Sequence, residues 1–228
     1  PNSVSTKVGE EIDLDEEYSA IDAEDGDLTS KVQVEGEVNF NKAGVYELVY
    51  SVTDSDGNTT QASRKVKVVD MEDMTYLSDI DLKSSSNSYT SARKNQSVSG
   101  RAIRLTNENG AEIAYEKGIG AHSTSTLIYD LTKADYGYFT SYVGVDRQMY
   151  NTVGSVNFQV YLDNEKVYDS GTMNSTHAQK FVEINLQGAK ELKLVVTDGG
   201  NGNGSDHADW ADAKLHLAVA KEVIESEI

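Results

Sequence analysis

Cysteine is absent from the 228 residues, and proline and tryptophan occur once each. Without thiols there is no disulfide scaffold, no thiolate zinc site and no cysteine nucleophile, so the fold rests on packing and hydrogen bonds. Basic charge is scarce: 20 Lys and Arg stand against 38 Asp and Glu, a formal net charge of −18. A surface of that sign repels phosphate backbones and anionic headgroups, and no basic cluster interrupts it along the sequence. Nucleic acid is therefore not expected as a partner. No apolar run approaches the roughly 20 residues of a membrane span, and the opening Pro1–Asn2 has no charged segment with an apolar core behind it. No membrane insertion is expected. The closing KEVIESEI also lacks terminal logic, and the chain reads as a piece of a larger protein.

What is present is alternation. The length suits two domains. Residues 1–70 read as short strands separated by turn chemistry: KVGEEIDL, the acidic turn AEDGDLTS (Ala23–Ser30), KVQVEG, GVYELVYSVTD (Gly44–Asp54), the turn Ser55–Asn58 and RKVKVVD. In Gly44–Asp54 the larger apolar set, Tyr46, Leu48, Tyr50 and Val52, falls on one face, as a half-buried antiparallel strand requires. The spacing predicts a β-sandwich. Asp22, Glu24, Asp25 and Asp27 suggest either a calcium site or, the favoured reading, a solvated acidic turn. The short polar segment Asp70–Ser78 reads as a tight junction, not a flexible linker.

From 74 to 220 the period stays at two, through STLIYDL, YFTSYVGVD, VNFQVYLD, KVYDSG, KFVEINL, ELKLVVTD and AKLHLAV. In VNFQVYLD the spacing turns Val156, Phe158, Val160 and Leu162 inward, and Asp163-Asn164 supplies the turn. The expectation is an all-β chain: an immunoglobulin-like sandwich followed by a jelly-roll-type sandwich.

One stretch breaks the pattern. DGGNGNGSDHADWAD (Asp198–Asp212) gathers four Asp, two Asn, four Gly, a His and the single Trp. So many small residues predict a loop that turns several times around a ligand. Asp198, Asn201, Asn203, Asp206 and Asp209 supply the hard oxygens that calcium takes. The spacing is not that of an EF-hand, so the readings are a structural calcium site or a solvated loop held by Asx turns. Trp210 either stacks on a sugar or plugs the sandwich end; Ala208, Ala211 and Ala213 around it favour the plug. His216 reads as surface, His177 as a loop residue without a role, and Arg147 either as part of the rim of the site or, the favoured reading, as a partner for Asp146.

The residues GEEIDL, AEDGDLTSKVQVEGEV, AGVYELVYSVTDSDGN and VKV resemble bacterial immunoglobulin-like repeats, which act mostly as spacers on exported Gram-positive proteins. The ordered series YLSDI, EKGIGAHS, YFTSYVGVD, GSVNFQVYLDNEKVYDSG, LVVTDGG and DHADWADAKL resembles the NPCBM family, carbohydrate-binding module family 51, across the whole second domain. That resemblance implies a β-sandwich attached to a secreted glycoside hydrolase, holding a catalytic domain elsewhere in the parent chain on galactose-terminated or blood-group glycans. It also implies a secreted or cell-surface location.

The family's Asn-Gly-Trp-Gly-Pro loop, followed by charged residues that include an Asp, reads Asn87 to Asn95 here, with Tyr89 in place of Trp and Asn95 in place of Asp. By position in that loop Tyr89 would stack on the sugar and Arg93 would donate hydrogen bonds to it. His122 and His207 lie in family motifs and read as ligands for a sugar hydroxyl or as structural hydrogen-bonding groups. No GxSxG, HExxH or GxxxxGK motif occurs, so no catalytic activity is expected. The competing reading is a structural or adhesive region of a surface protein whose altered loop has lost its sugar.

Overall fold

Nearly every alternating segment folds as a strand. A computed structural model describes residues 3–14 and 18–219; the closing KEVIESEI lies outside the described residues. In the first domain a four-stranded sheet runs in the order Ser3–Lys7, Thr59–Val69, Gly44–Thr53, Gln33–Glu35. The first pair is parallel and the others antiparallel. Leu48, Val66 and Val68 are buried on one face, where Ile12, Leu14, Val38 and Phe40 cover them. The expected strand over KVGEEIDL does not extend beyond Lys7. The chain turns at Gly9, whose φ of 86° is the left-handed region open to glycine, so Ile12 and Leu14 cross over the sheet as a covering layer. In the acidic turn, Asp22 accepts the amides of Glu24 and Asp25, and Asp25 accepts the amide and hydroxyl of Ser55. These carboxylates close turns.

The second domain is two six-stranded sheets face to face. One runs in the order Lys180–Asn185, Tyr136–Val145, His207–Leu217, Gly118–His122, Arg93–Lys94, with Met74–Tyr76 also paired to His207–Leu217. The other runs in the order Glu165–Asp169, Ser155–Leu162, Glu191–Asp198, Ser125–Asp130, Ser84–Asn87, with Met173–Asn174 beside Ser155 and Val156. Their inner faces interdigitate through Leu127, Tyr129, Phe139, Val143, Phe158, Val160, Leu192, Leu194, Trp210 and Leu215. The alternation inside VNFQVYLD is as read: Val156, Phe158, Val160 and Leu162 are buried, and Asp163 and Asn164 turn the chain at φ 47° and 74°.

The outer face of the first of these sheets is covered twice. The hairpin of Ile103–Thr106 with Glu112–Tyr115 packs Ile103 and Leu105 onto Ala211, with Tyr115 and Tyr142 beside them. The first domain covers the other end. Lys67 Nζ donates to the Tyr136 carbonyl at 3.1 Å and pairs with Asp135, Asn185 donates to the Ser5 carbonyl at 2.8 Å, and Lys7 pairs with Glu183. His216 belongs to this junction. It is buried, with Nε2 against the Thr140 hydroxyl and Nδ1 against the Met71 carbonyl, each at 2.8 Å. The surface reading of His216 is corrected: alternation put it on the outer face, but the neighbouring domain seals that face.

Candidate functional site

At the end of the sheet left open by the first domain, three rings stand in file. Tyr89 is 71% exposed and lies over His122, ring centroids 4.6 Å apart at 35°. His122 in turn meets His207 at 5.6 Å. The two histidines are direct cross-strand neighbours in register. Tyr89 is positioned by the residue before it: Ser88 donates its hydroxyl to the Ser123 carbonyl at 2.9 Å, accepts the Thr124 amide at 2.8 Å, and gives its own amide to the Thr124 carbonyl. The loop is thereby tied to the strand end carrying His122. Ser88 and Ser123 were not singled out from the sequence, where they are two serines among many.

His122 is nearly buried and its Nδ1 lies 2.8 Å from the Ser123 carbonyl. A carbonyl only accepts, so Nδ1 carries the proton and Nε2 is left as an acceptor for a hydroxyl. His207 is half-buried; burial first and the neighbouring His122 second hold its imidazole below the ordinary histidine value. Arg93 is exposed on the edge strand, paired to Gly120, with its guanidinium against Gly100. The site therefore brings Tyr89, His122 and His207 together with Arg93 on its border.

Trp210 is not part of it. Its ring is fully buried, 5.0 Å from Phe158 and 6.3 Å from Phe139 between their centroids. A ring with no free face cannot stack on a sugar, so of the two readings the plug is the one seen. The stretch Asp198–Asp212 is also not one loop. From His207 onward it is the strand His207–Leu217, in the interior of its sheet.

That strand separates the oxygens suggested for calcium. Asp198 accepts the Gly200 amide; Asn201 bonds the Ser155 hydroxyl and the Val153 carbonyl; Asn203 is exposed. Asp206 is buried on the core side, taken up by the Ser123 hydroxyl and the Ser155 amide. Asp209 points the opposite way, with His207. The five do not converge on a common centre, and among the described residues no group of three or more His, Asp or Glu is placed to hold a metal ion. The donor set does not fit a shared calcium.

Asp209 has a different partner. Both its oxygens are buried without a hydrogen-bond donor, and the group beside it is Asp146, also fully buried. Burial first and Asp146 second push the Asp209 carboxyl well above the usual carboxylate range. Two carboxylates in contact form a hydrogen bond only when one carries a proton. A proton on Asp209 would let it donate to Asp146, which accepts the amides of Gln148 and Arg104. The expected pairing of Arg147 with Asp146 is corrected: Arg147 donates to the Thr106 hydroxyl at 3.0 Å and stacks on Tyr150. His177 is exposed and bonds Asn174.

Residues 73–216 match the NPCBM/NEW2 domain family, and residues 1–68 match the bacterial surface protein Ig-like domain. The chain belongs to the NPCBM/NEW2 family. It is 40% identical, over 94% of its own length and 47% of the other chain, to a structure of the CBM51-2 and INT domains of Clostridium perfringens ZmpB in complex with GlcNAc, at a TM-score of 0.64. It is 48% identical to the CBM51 of Clostridium perfringens GH95 in complex with methyl-galactose, over 62% of this chain and 99% of that one, TM-score 0.61. Among curated proteins it is 27% identical to the blood-group-substance endo-1,4-beta-galactosidase of Clostridium perfringens, covering 83% of this chain and 25% of that protein. The chain thus spans about a quarter of that enzyme's length. In ZmpB the CBM51 modules accompany a separate M60 catalytic domain. The NPCBM domain here is a non-catalytic accessory module of the same kind.

Proposed function

We propose that the second domain binds galactose-terminated or blood-group-type host glycans, and that it does so as the accessory module of a secreted glycoside hydrolase or another surface enzyme of a Gram-positive bacterium. The first domain is its spacer. The observation that carries this reading is the exposed Tyr89 ring held over His122 by Ser88. Tyr89 offers a flat apolar face to one side of a pyranose, and His122 Nε2 is an acceptor within the same site for a hydroxyl on its edge. Related modules crystallised with methyl-galactose and with GlcNAc support a monosaccharide-sized ligand. A shallow site of this kind buries few atoms, so single-site affinity is weak and recruitment depends on glycan density.

The test is a glycan-array screen of the intact chain, followed by calorimetry with methyl-galactose and GlcNAc. Because Tyr89 is exposed, Tyr89→Ala leaves the fold intact and lowers affinity by up to about tenfold, the scale of one lost stacking contact. A folded protein blank on the array would move the assignment to a structural or adhesive region of a surface protein.

A further inference from the structure

Five arginines occur in the chain, and three of them, Arg101, Arg104 and Arg147, line one cavity of about 190 Å³ together with Ala102, Glu112 and Gln148. No basic cluster shows along the sequence because these residues come from three places: the loop after Ser97, the strand Ile103–Thr106, and the turn that follows Tyr136–Val145. The fold brings them together. Gln148 fastens the loop, accepting the Ser99 hydroxyl at 2.6 Å and donating to the Ser97 hydroxyl at 2.8 Å. Arg147 is held by Thr106 and by Tyr150, 3.7 Å below its guanidinium. Arg104 spends one donor on Glu112 at 2.8 Å. Among the described residues the Arg101 guanidinium makes no hydrogen bond or ion pair.

We propose that this cavity is an anion subsite, taking the carboxylate or sulfate substituent of an acidic glycan whose sugar occupies the Tyr89–His122 site; the inference rests on the sugar-binding reading. Three guanidinium groups against the single Glu112 leave two positive charges in excess on a molecule of net charge −18. Nothing else in the cavity is charged, and the nearby Asp146 is buried and turned to backbone amides and Asp209. Each guanidinium carries five N–H donors in a planar fork, so most donors here stay available to a planar carboxylate or a sulfate. The volume is below the roughly 300–1,000 Å³ of whole-ligand pockets, which suits a substituent and not a whole sugar. The path to the sugar site is short. Arg93, on the border of that site, lies against Gly100, where an added Cβ would stand 3.4 Å from its Nη1, and Arg101 is the next residue. At physiological salt, charges beyond about 8 Å are screened, so the acidic remainder of the surface does not cancel this local field.

The experiment compares neutral, sialylated and sulfated galactosides of the same core by calorimetry with the intact chain, at physiological and at high salt. The acidic ligands bind about tenfold more tightly than the neutral one at physiological salt, and the advantage shrinks at high salt. Arg101→Gln and Arg104→Gln abolish the advantage and leave neutral affinity unchanged. Whether the sialylated or the sulfated arm is favoured identifies the anion. Equal or weaker affinity for acidic ligands overturns the proposal, as does an advantage that survives both substitutions. If no galactoside binds, the sugar reading has failed by itself, and inorganic sulfate is titrated while the arginine Nε–Hε signals are followed by NMR. Saturable shifts at Arg101, Arg104 and Arg147 that Arg101→Gln removes sustain the anion site; their absence overturns it.

Discussion

Two carboxylates with no access to water are unfavourable as a pair of ions, and burial first and Asp146 second push the Asp209 carboxyl well above the usual range, toward its protonated form. Its folded-state value lies above its unfolded one, so the contribution of the pair is complete below about pH 4 and is lost as pH rises toward the raised folded-state value. Asp209→Asn keeps a donor for Asp146 without that loss. The variant is expected to melt higher than the parent at neutral and alkaline pH and to show a flatter melting curve against pH above about 4, on a scale of about 2–4 °C per kcal/mol regained. The parent is expected to melt lower at pH 8 than at pH 5; an Asp209→Asn variant with the same pH dependence would refute the shared proton. The sequence offered Asp209 as a metal ligand because it stands among Asn, Gly and Asp; nothing local reveals that its neighbour is a carboxylate 63 positions earlier. The motifs singled out Tyr89 and His122, whose rings the fold brings together, and the alanine neighbours of Trp210 pointed to its burial. The serines holding Tyr89 were not, since a hydroxyl that bonds the backbone carries no signature of its own.

Strands were legible wherever an apolar side alternates with a wet one, because that pattern is the pleat itself. The misreading of His207–Asp212 as loop has a physical cause. Its inward positions include Ala208 and Trp210, while its outward positions, half-buried His207 and buried Asp209, are polar, so the stretch has the composition of a loop and the environment of a central strand. Beside Asp209 the segment Gln96–Val98 lies on Gly120, its cross-strand partner: a Cβ at Gly120 would stand 2.4 Å from the Gln96 carbonyl oxygen and 2.5 Å from Val98 N. Backbone atoms cannot step aside the way a side-chain tip can. Gly120→Ala is therefore expected to lift this segment, weaken the module by about 1–3 kcal/mol, and disturb Arg93, which pairs with Gly120. Denaturant unfolding together with methyl-galactose titration checks this. Wild-type stability and affinity in the variant would mean the segment is not seated as described.

Across the whole molecule, the segment Asp70–Ser78, expected to be a tight junction, contacts both domains. Part of the segment, Met74–Tyr76, joins the sheet of the second domain, and Val69 meets Tyr138 and Ala218 in a small apolar cluster with Met71. What the sequence did not show is how closely the domains approach, because that depends on one residue lacking a side chain. A Cβ at Gly137 would stand 2.2 Å from Val69 Cγ2, with Ser5 at 3.4 Å beyond it. The first domain can therefore sit flush on the sheet end opposite the Tyr89 site. Gly137→Leu inserts a branched side chain into this contact and is expected to part the domains. Small-angle scattering would then show a larger radius of gyration, and hydrogen exchange would rise at Leu217 and Ala218, whose amides bond the Asp73 and Asp135 carbonyls. Affinity for methyl-galactose should not change, because the site lies at the other end of the sheet. Lys67→Ala removes the bonds to Tyr136 and Asp135 without adding bulk and should loosen the junction less. Scattering curves for Gly137→Leu that superimpose on the parent would show that the first domain does not hold the module's orientation through this interface.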